Sequence, residues 1–217
     1  MENEIPKKRL KICNLYCGIG GNRKLWTQNG DSHEITAIEN VPEIAKIYQD
    51  FFPNDKVIVA DAHQYLLEHY KEFDFIWSSP PCPTHSRFNL LNNQQEGKRV
   101  IYPAMELYQE IIFLRHWFKG KYVVENVISY YEPLIQPAEI NNHYFWTNFY
   151  INPITKEKRG IKNSKNHIQE RETQLGFGIS QYKLNSELKR KILNNCVEPE
   201  TGLHVFQEAF KKYKTLL

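Results

Sequence analysis

Cys82 lies in the run Ser79-Pro80-Pro81-Cys82-Pro83, and Glu125-Asn126-Val127 begins forty-three residues after it. A thiol becomes a nucleophile when it ionises. With an ordinary pKa of ~8.5, a few per cent is thiolate near neutrality. The two prolines stiffen the backbone and remove two N–H donors, which fixes where the thiol points. A carboxylic acid at Glu125 can protonate or hydrogen-bond a ring nitrogen while a thiol attacks the ring, and Asn126 can fix a loop by hydrogen bonds to its backbone. A third group comes near the start: Tyr16-Cys17-Gly18-Ile19-Gly20-Gly21. Glycines after a strand let the backbone turn tightly and approach a ligand closely. Each group also has a plainer reading. Cysteines often pack in cores, an acid can sit at a helix N-terminus, and Gly18-x-Gly20-Gly21 can be a structural tight turn.

The elements that must position these groups alternate. Residues 10–16, 34–39, 56–60, 73–78 and 122–125 read as strands. Residues 23–28, 43–52, 64–70 and 103–119 read as helices, the second led in by Pro42 and the last carrying Leu107, Ile111, Leu114 and Phe118 on one face. Strand–helix alternation predicts an α/β fold with a doubly wound, mostly parallel sheet. In such sheets ligands bind at the carboxyl ends of the strands. Glu39 ends the second strand, where a carboxylate can hold ribose hydroxyls, and Asp61 follows the third, where one can accept from an adenine amino group. Cys82 follows the fourth strand and Glu125 ends the fifth. The glycine turn, Glu39 and Asp61 at successive strand ends together predict a nucleoside pocket.

Residues 84–99 are polar and rich in Asn and Gln, and read as a long loop of the kind used as a lid. Residues 144–151 read as a further strand near an edge. No pattern is assigned to 152–183. Residues 186–193 and 203–213 read as helices, with 196–202 between them.

The chain has 217 residues, room for one sizeable α/β domain. Its net charge of +3 is too small for a strong polyanion binder overall. The basic residues do cluster: 156–165 holds five Lys or Arg against one Glu, and Lys189-Arg190-Lys191 adds another knot. These suit phosphate or are solvated surface. Thirteen tyrosines suit base stacking or an aromatic core. Cys13, Cys17, Cys82 and Cys196 form no Cys-x-x-Cys pair, so no metal site is expected. Residues 1–11 are charged, without the apolar run of a signal peptide, and no stretch approaches membrane-spanning length. A cytoplasmic protein with free thiols is the expectation.

These pieces in this order resemble the cytosine-5 DNA methyltransferase family. Asn14-Leu15-Tyr16-Cys17-Gly18-Ile19-Gly20-Gly21 is similar to its first motif, Asp-Leu-Phe-x-Gly-x-Gly-Gly. Pro80-Pro81-Cys82 resembles the nucleophile motif, with Ser86 on its trailing serine, and Glu125-Asn126-Val127 resembles the Glu-Asn-Val motif. Asn195-Cys196-Val197 with Pro199 resembles the last motif, Gly-Asn-x-Val. The resemblance implies the Rossmann-like fold of S-adenosylmethionine (SAM)-dependent methyltransferases. It implies SAM binding on Tyr16, Cys17, Gly18, Ile19, Gly20, Gly21, Glu39, Asn40, Asp61, Ala62, Pro80, Asn195 and Val197. The partner it implies is double-stranded DNA with a cytosine flipped out of the stack, met by Pro81, Ser86, Arg87 and His143. Cys82 would attack ring carbon 6, Glu125 would meet N3 and the exocyclic amine, and carbon 5 would take the methyl group.

Four departures bear on this. Asn14 replaces an aspartate, and Pro83 replaces a glutamine. Asn141-Asn142-His143-Tyr144-Phe145 stands where Gln-x-Arg-x-Arg is usual, His143 being a partial substitute for an arginine. Only about forty residues separate Ile151 from the last motif, too few for a full target-recognition domain. The division expected is a catalytic domain over 1–151, a short polar insert over 152–184, and C-terminal helices over 185–217 that complete the domain. The short insert leaves several activities open. One is a minimal DNA enzyme of relaxed specificity, of the kind found in bacterial or phage-encoded restriction–modification. Others are an enzyme acting on a free cytosine nucleotide or RNA, a catalytic subunit with a separate recognition partner, and a non-catalytic remnant, against which the retained Cys82 and Glu125 argue.

Overall fold

Five apolar runs form the parallel part of a seven-stranded sheet. The computed structural model describes residues 9–27, 32–87, 101–154 and 167–211. The strands are β1 (Lys11–Leu15), β2 (Glu34–Glu39), β3 (Lys56–Val59), β4 (Phe75–Ser78), β5 (Lys121–Val127), β6 (Ala138–Ile140) and β7 (His143–Thr147). They lie in the order β3-β2-β1-β4-β5-β7-β6. β1 to β5 are parallel, and β7 runs antiparallel to both β5 and β6. The expected doubly wound, mostly parallel sheet is present.

Burial on both faces explains why the central strands read as near-continuous apolar runs. Ile12, Phe75, Trp77 and Val123 face a cluster that includes Trp26, Val205 and Phe206. Cys13, Leu15, Ile76, Tyr122 and Val124 face the other way, onto Leu66, Leu107, Ile111 and Leu114. Trp26 stacks on Phe206 with ring centroids 5.1 Å apart, and its indole N–H donates to the Gly202 carbonyl at 3.2 Å. Truncating such a ring typically costs about 3–5 kcal/mol.

The helices are α1 (Pro42–Phe51), α2 (Ala62–His69), α3 (Glu106–Trp117), α4 (His167–Leu175), α5 (Ser186–Asn194) and α6 (Pro199–Phe210), with a short 3-10 turn at Tyr70–Glu72 after α2. Pro42 sits in the first turn of α1, as expected. All four apolar residues assigned to the face of α3 are buried.

Three expectations need correction, and one region without an assignment gains a helix. Residues 23–27 form successive turns, not a helix. Their backbone bonds run from i to i−3 (Arg23 to Gly20, Lys24 to Gly21, Trp26 to Arg23), while Arg23 is pulled to Asp55 and Trp26 into the core. β7 lies near the sheet edge as expected, with β6 outside it, but it ends at Thr147 rather than at 151. The two-residue link Asn141-Asn142 has φ of 50° and 66°, the left-handed pair that closes a tight hairpin. The last helix starts at Pro199 rather than 203, a proline in its first turn fixing the start. The region 152–183, whose sequence shows no clear pattern, contains α4, which packs on α5. Assignments to Gln28, to most of the 84–99 loop, to the whole basic 156–165 stretch and to residues 212–213 fall outside the described residues.

Candidate active site

The sheet's topological switch lies between β2-β1 on one side and β4-β5 on the other, and the chemistry-bearing loops leave the carboxyl ends of these strands. The glycine turn follows β1. Gly20 has φ of 83°, open to glycine and costly for other residues. A Cβ at Gly21 would collide with the Val197 carbonyl oxygen and the Cys196 sulfur. The segment resembling the last motif is thus seated directly on the segment resembling the first. Asn195 itself is exposed at the end of α5. The Cys17 thiol packs with Ala37 and Tyr48 and Ile19 packs with Leu175 and Phe177, so these two side chains serve the core.

Glu39 ends β2 with its carboxylate buried. Gly18 N–H donates to Oε2 at 3.1 Å and Val41 N–H to Oε1 at 3.0 Å, which locks the acid against the glycine turn. Asn40 beside it is exposed. Asp61 caps α2 by accepting from Gln64 N–H at 2.9 Å, and Ala62 is buried under it. Where the first motif of the resemblance carries an aspartate, Asn14 is buried and paired with Asn22. The Asn22 amide donates to Asn14 Oδ1 at 2.8 Å.

The Cys82 loop is tied to the end of β5. Asn126 Nδ2 donates to the Pro80 carbonyl at 3.0 Å, the backbone hold expected of it. Past Cys82, Pro83 occupies a turn in which His85 and Ser86 N–H groups both donate to the Cys82 carbonyl. Ser86 bridges Ser129, and Arg87, itself exposed, donates to the Ser129 carbonyl at 3.1 Å. Pro80 is buried, Pro81 exposed and Cys82 half-buried. Glu125 and Asn126 lie inside β5, which runs on through Val127, so Glu125 does not end the strand. It is buried, and its Oε1 lies 2.5 Å from His143 Nδ1.

Burial pushes the Cys82 thiol above its ordinary pKa, and the charge of Glu125 pushes the same way, against a weaker pull from Lys191. For His143, burial favours the neutral ring, but the charge and hydrogen bond of Glu125 outweigh it and the net shift is upward. His85 is shifted down by burial, and its Nδ1 lies 2.5 Å from the Tyr131 hydroxyl.

One polar centre is not among the residues that the sequence motifs single out. Glu110 is fully buried on α3. It accepts from the Tyr16 hydroxyl at 2.7 Å and from the Ser78 hydroxyl at 2.5 Å, and its Oε1 lies 3.0 Å from His63 Nδ1. One carboxylate therefore joins the glycine turn, the end of β4 and the start of α2. Tyr16 has φ of 53°, an uncommon conformation for a bulky residue. The signal is present in the sequence: position 110 falls on the same helical face as Leu107, Ile111 and Leu114.

Among the described residues no group of three or more His, Cys, Asp or Glu is placed to hold a metal, no helix is long and apolar enough to cross a membrane, and all four cysteines are free thiols.

A family model for C-5 cytosine-specific DNA methylase matches residues 10–130, more than half of the chain. A tRNA (cytosine(38)-C(5))-methyltransferase of Spodoptera frugiperda is 32% identical over 80 residues, 36% of this chain and 24% of that protein. The chain thus spans about a quarter of that relative's length. Among solved structures, the Entamoeba histolytica methyltransferase EhMeth shares the fold, with a TM-score of 0.56 at 11% identity over 94% of this chain and 98% of that one. A Spodoptera frugiperda DNMT2 structure is 24% identical over 54% of this chain and 35% of that chain, with a TM-score of 0.38. With the glycine turn, the Pro-Pro-Cys loop and the Glu-Asn-Val strand gathered at one sheet edge, the chain belongs to the C-5 cytosine-specific DNA methylase family, whose methyl donor is S-adenosylmethionine.

Proposed function

We propose that this chain methylates carbon 5 of cytosine in DNA through a covalent adduct to Cys82. The observation that carries the reading is the tie between adjacent strand ends. Asn126 holds the Pro80 carbonyl, so the thiol loop and the acid strand share one edge with the glycine turn.

The residues present fit the cofactor. A Cβ at Gly18 would meet nothing within 4 Å, so the cradle is open on that side. Glu39 is fixed by two backbone donors, and each oxygen keeps a second lone pair for a ribose hydroxyl. Asp61 uses Oδ1 as a cap, leaving Oδ2 for an adenine amine. Backbone at Tyr16, Cys17, Ile19, Gly20 and Gly21, with Asn40, Ala62, Pro80, Asn195 and Val197, completes the wall. SAM supplies the methyl group that carbon 5 takes.

The chain's own residues prepare that carbon. Cytosine carbon 5 is a poor nucleophile until a thiolate adds to carbon 6 and pushes electrons toward it. The Cys82 thiolate makes that bond as the carbon 5–carbon 6 double bond opens, and Glu125 meets N3 and the exocyclic amine, which lowers the cost of the charge moving onto the ring. Once carbon 5 carries the methyl group, a base takes its proton, the double bond re-forms and the Cys82 thiolate leaves carbon 6. Burial, and after it the charge of Glu125, raise the pKa of the free thiol, so the ionised form is scarce in the free protein. Pro81, Ser86, Arg87 and His143 line the base side. Residues 1–151 and 185–217 form the catalytic unit in this reading, and 152–184 take the place of a recognition domain.

The test is transfer of labelled methyl from SAM to duplex DNA by wild type and Cys82→Ala, with SAM binding followed by calorimetry. Label from wild type alone, with binding intact in both, supports the proposal. Label retained by Cys82→Ala sinks the covalent route.

A second reading is favoured by one comparison: the 32%-identical relative is named as a tRNA methyltransferase. Transfer to tRNA but not to duplex DNA would replace DNA with RNA and leave the chemistry at Cys82 unchanged.

A further inference from the structure

His143 reaches Glu125 across the antiparallel boundary between β5 and β7. The register pairs Glu125 with Phe145 and Val127 with His143. His143 is thus a diagonal neighbour of Glu125 on the same sheet face. The Nδ1–Oε1 distance is 2.5 Å, with the Glu125 side chain 7% exposed and the His143 side chain 26% exposed. Among the described residues His143 is the one cationic side chain in an ion pair with Glu125, and Oε2 makes no hydrogen bond. One oxygen is taken and the other is left for a ligand.

We infer that His143 is a positioning residue for Glu125: its imidazolium holds Oε1, fixes the plane of the carboxylate and presents Oε2 to the target base. This rests on the proposed cytosine chemistry at Cys82 and Glu125. The hold is titratable. A charge-assisted hydrogen bond is roughly twice as strong as a neutral one, so loss of the ring proton loosens the carboxylate. The groups facing the ring are Glu125 from β5, Glu198 at the start of α6, and Arg171 from α4. Burial and Arg171 favour the neutral ring, and the two carboxylates favour the charged one. The balance lies with the carboxylates, which extends the hold through neutral pH and lets it fail on the alkaline side.

Two measurements test this. The first is an NMR titration of the His143 ring in wild type and Glu125→Gln, which needs no substrate. The ring should titrate above the ordinary histidine range in wild type and drop by about one pH unit or more in the variant. A ring that titrates identically in both overturns the inference. The second is kcat and KM against pH for wild type, His143→Gln and His143→Arg. Wild type should lose kcat on an alkaline limb. His143→Gln should lose about tenfold in kcat at neutral pH, with the KM for SAM unchanged and that limb gone. His143→Arg keeps a donor that never gives up its charge, so it should restore kcat and extend activity into the alkaline range. A His143→Gln enzyme with the wild-type kcat and limb overturns the inference, as does a His143→Arg enzyme that keeps the limb. If wild type labels neither DNA, RNA nor a free cytosine nucleotide, the cytosine reading fails, while the NMR titration still decides the pair.

Discussion

Glu110 makes the sharpest claim about what holds the site in shape. Its carboxylate is buried and accepts from two hydroxyls, Ser78 at 2.5 Å and Tyr16 at 2.7 Å, with the His63 ring at 3.0 Å. Glu110→Ala removes the acceptor and leaves the donors. Ser78 is fully buried, so its hydroxyl bears the whole penalty of an unmet donor, about 1–3 kcal/mol. Tyr16 is half-buried and bears part of the same. The His63 side chain is 38% exposed and rehydrates, so it adds nothing to the sum. Removing the acid also returns the cost of burying its charge, but with the donors left in place the loss dominates, as it does for buried pairs broken on one side. The net expectation is about 3 kcal/mol for Glu110→Ala and about 1–2 kcal/mol for Glu110→Gln, which keeps the volume and one acceptor. Urea melts read this as a lower midpoint at unchanged slope. Because Tyr16 holds φ of 53° at the head of the glycine turn, SAM affinity should fall with it, by about tenfold, or about 1.4 kcal/mol. A Glu110→Ala protein within about 1 kcal/mol of wild type would overturn this account. So would a Tyr16→Phe change that costs as much in the Glu110→Ala background as alone, since the two must couple if the bond is real.

The remaining predictions concern the neighbours. His63 is shifted up, chiefly by its hydrogen bond to Glu110; a raised histidine stabilises fully below its unfolded-state pKa and loses that as pH rises through the folded value. The stability gap between wild type and His63→Gln should therefore be largest below about pH 6.5 and close on the alkaline side, and a gap that widens with pH would contradict the pairing. Asn126→Ala leaves the Pro80 carbonyl without its donor at 3.0 Å. It should cost about 1–3 kcal/mol of stability in urea melts and lower kcat more than it raises the KM for SAM, because it frees the thiol loop rather than the cradle. Gly21→Ala forces a methyl into the Val197 carbonyl; since a backbone atom is the obstacle, loss of about 1–3 kcal/mol and weakened SAM binding by calorimetry are expected, whereas Gly178→Ala, with nothing within 4 Å, should change neither.

How much of the fold and the site is legible depends on which residues are fixed by neighbours in sequence. β1, β2, β4 and β5 are buried along most of their length and β3, half-exposed at the sheet edge, is a short apolar run as well, so the residues just past each run can be assigned to one sheet edge. That alone places the glycine turn, Glu39, Asp61 and Cys82 together. Short-range misreadings have local causes. Residues 23–27 carry helix-compatible side chains, but Arg23 forms a two-bond pair with Asp55 across 32 residues, and that pull outweighs propensity. β6 has only three residues, too few for a periodicity, although Asn141-Asn142 is a readable hairpin signal. What no local reading supplies is register. Glu125 meets His143 because β5 and β7 are antiparallel with Val127 opposite His143, and a shift of one residue would turn the ring to the other face. Glu110 is an intermediate case. Its three partners come from three separate strand ends, which sequence cannot name, but an acid on an apolar helical stripe is itself the clue. Burying a carboxylate is too costly to persist without donors. On a helix that covers the crevice side of the sheet, the donors available are the groups at the strand ends, which is where the cradle is built.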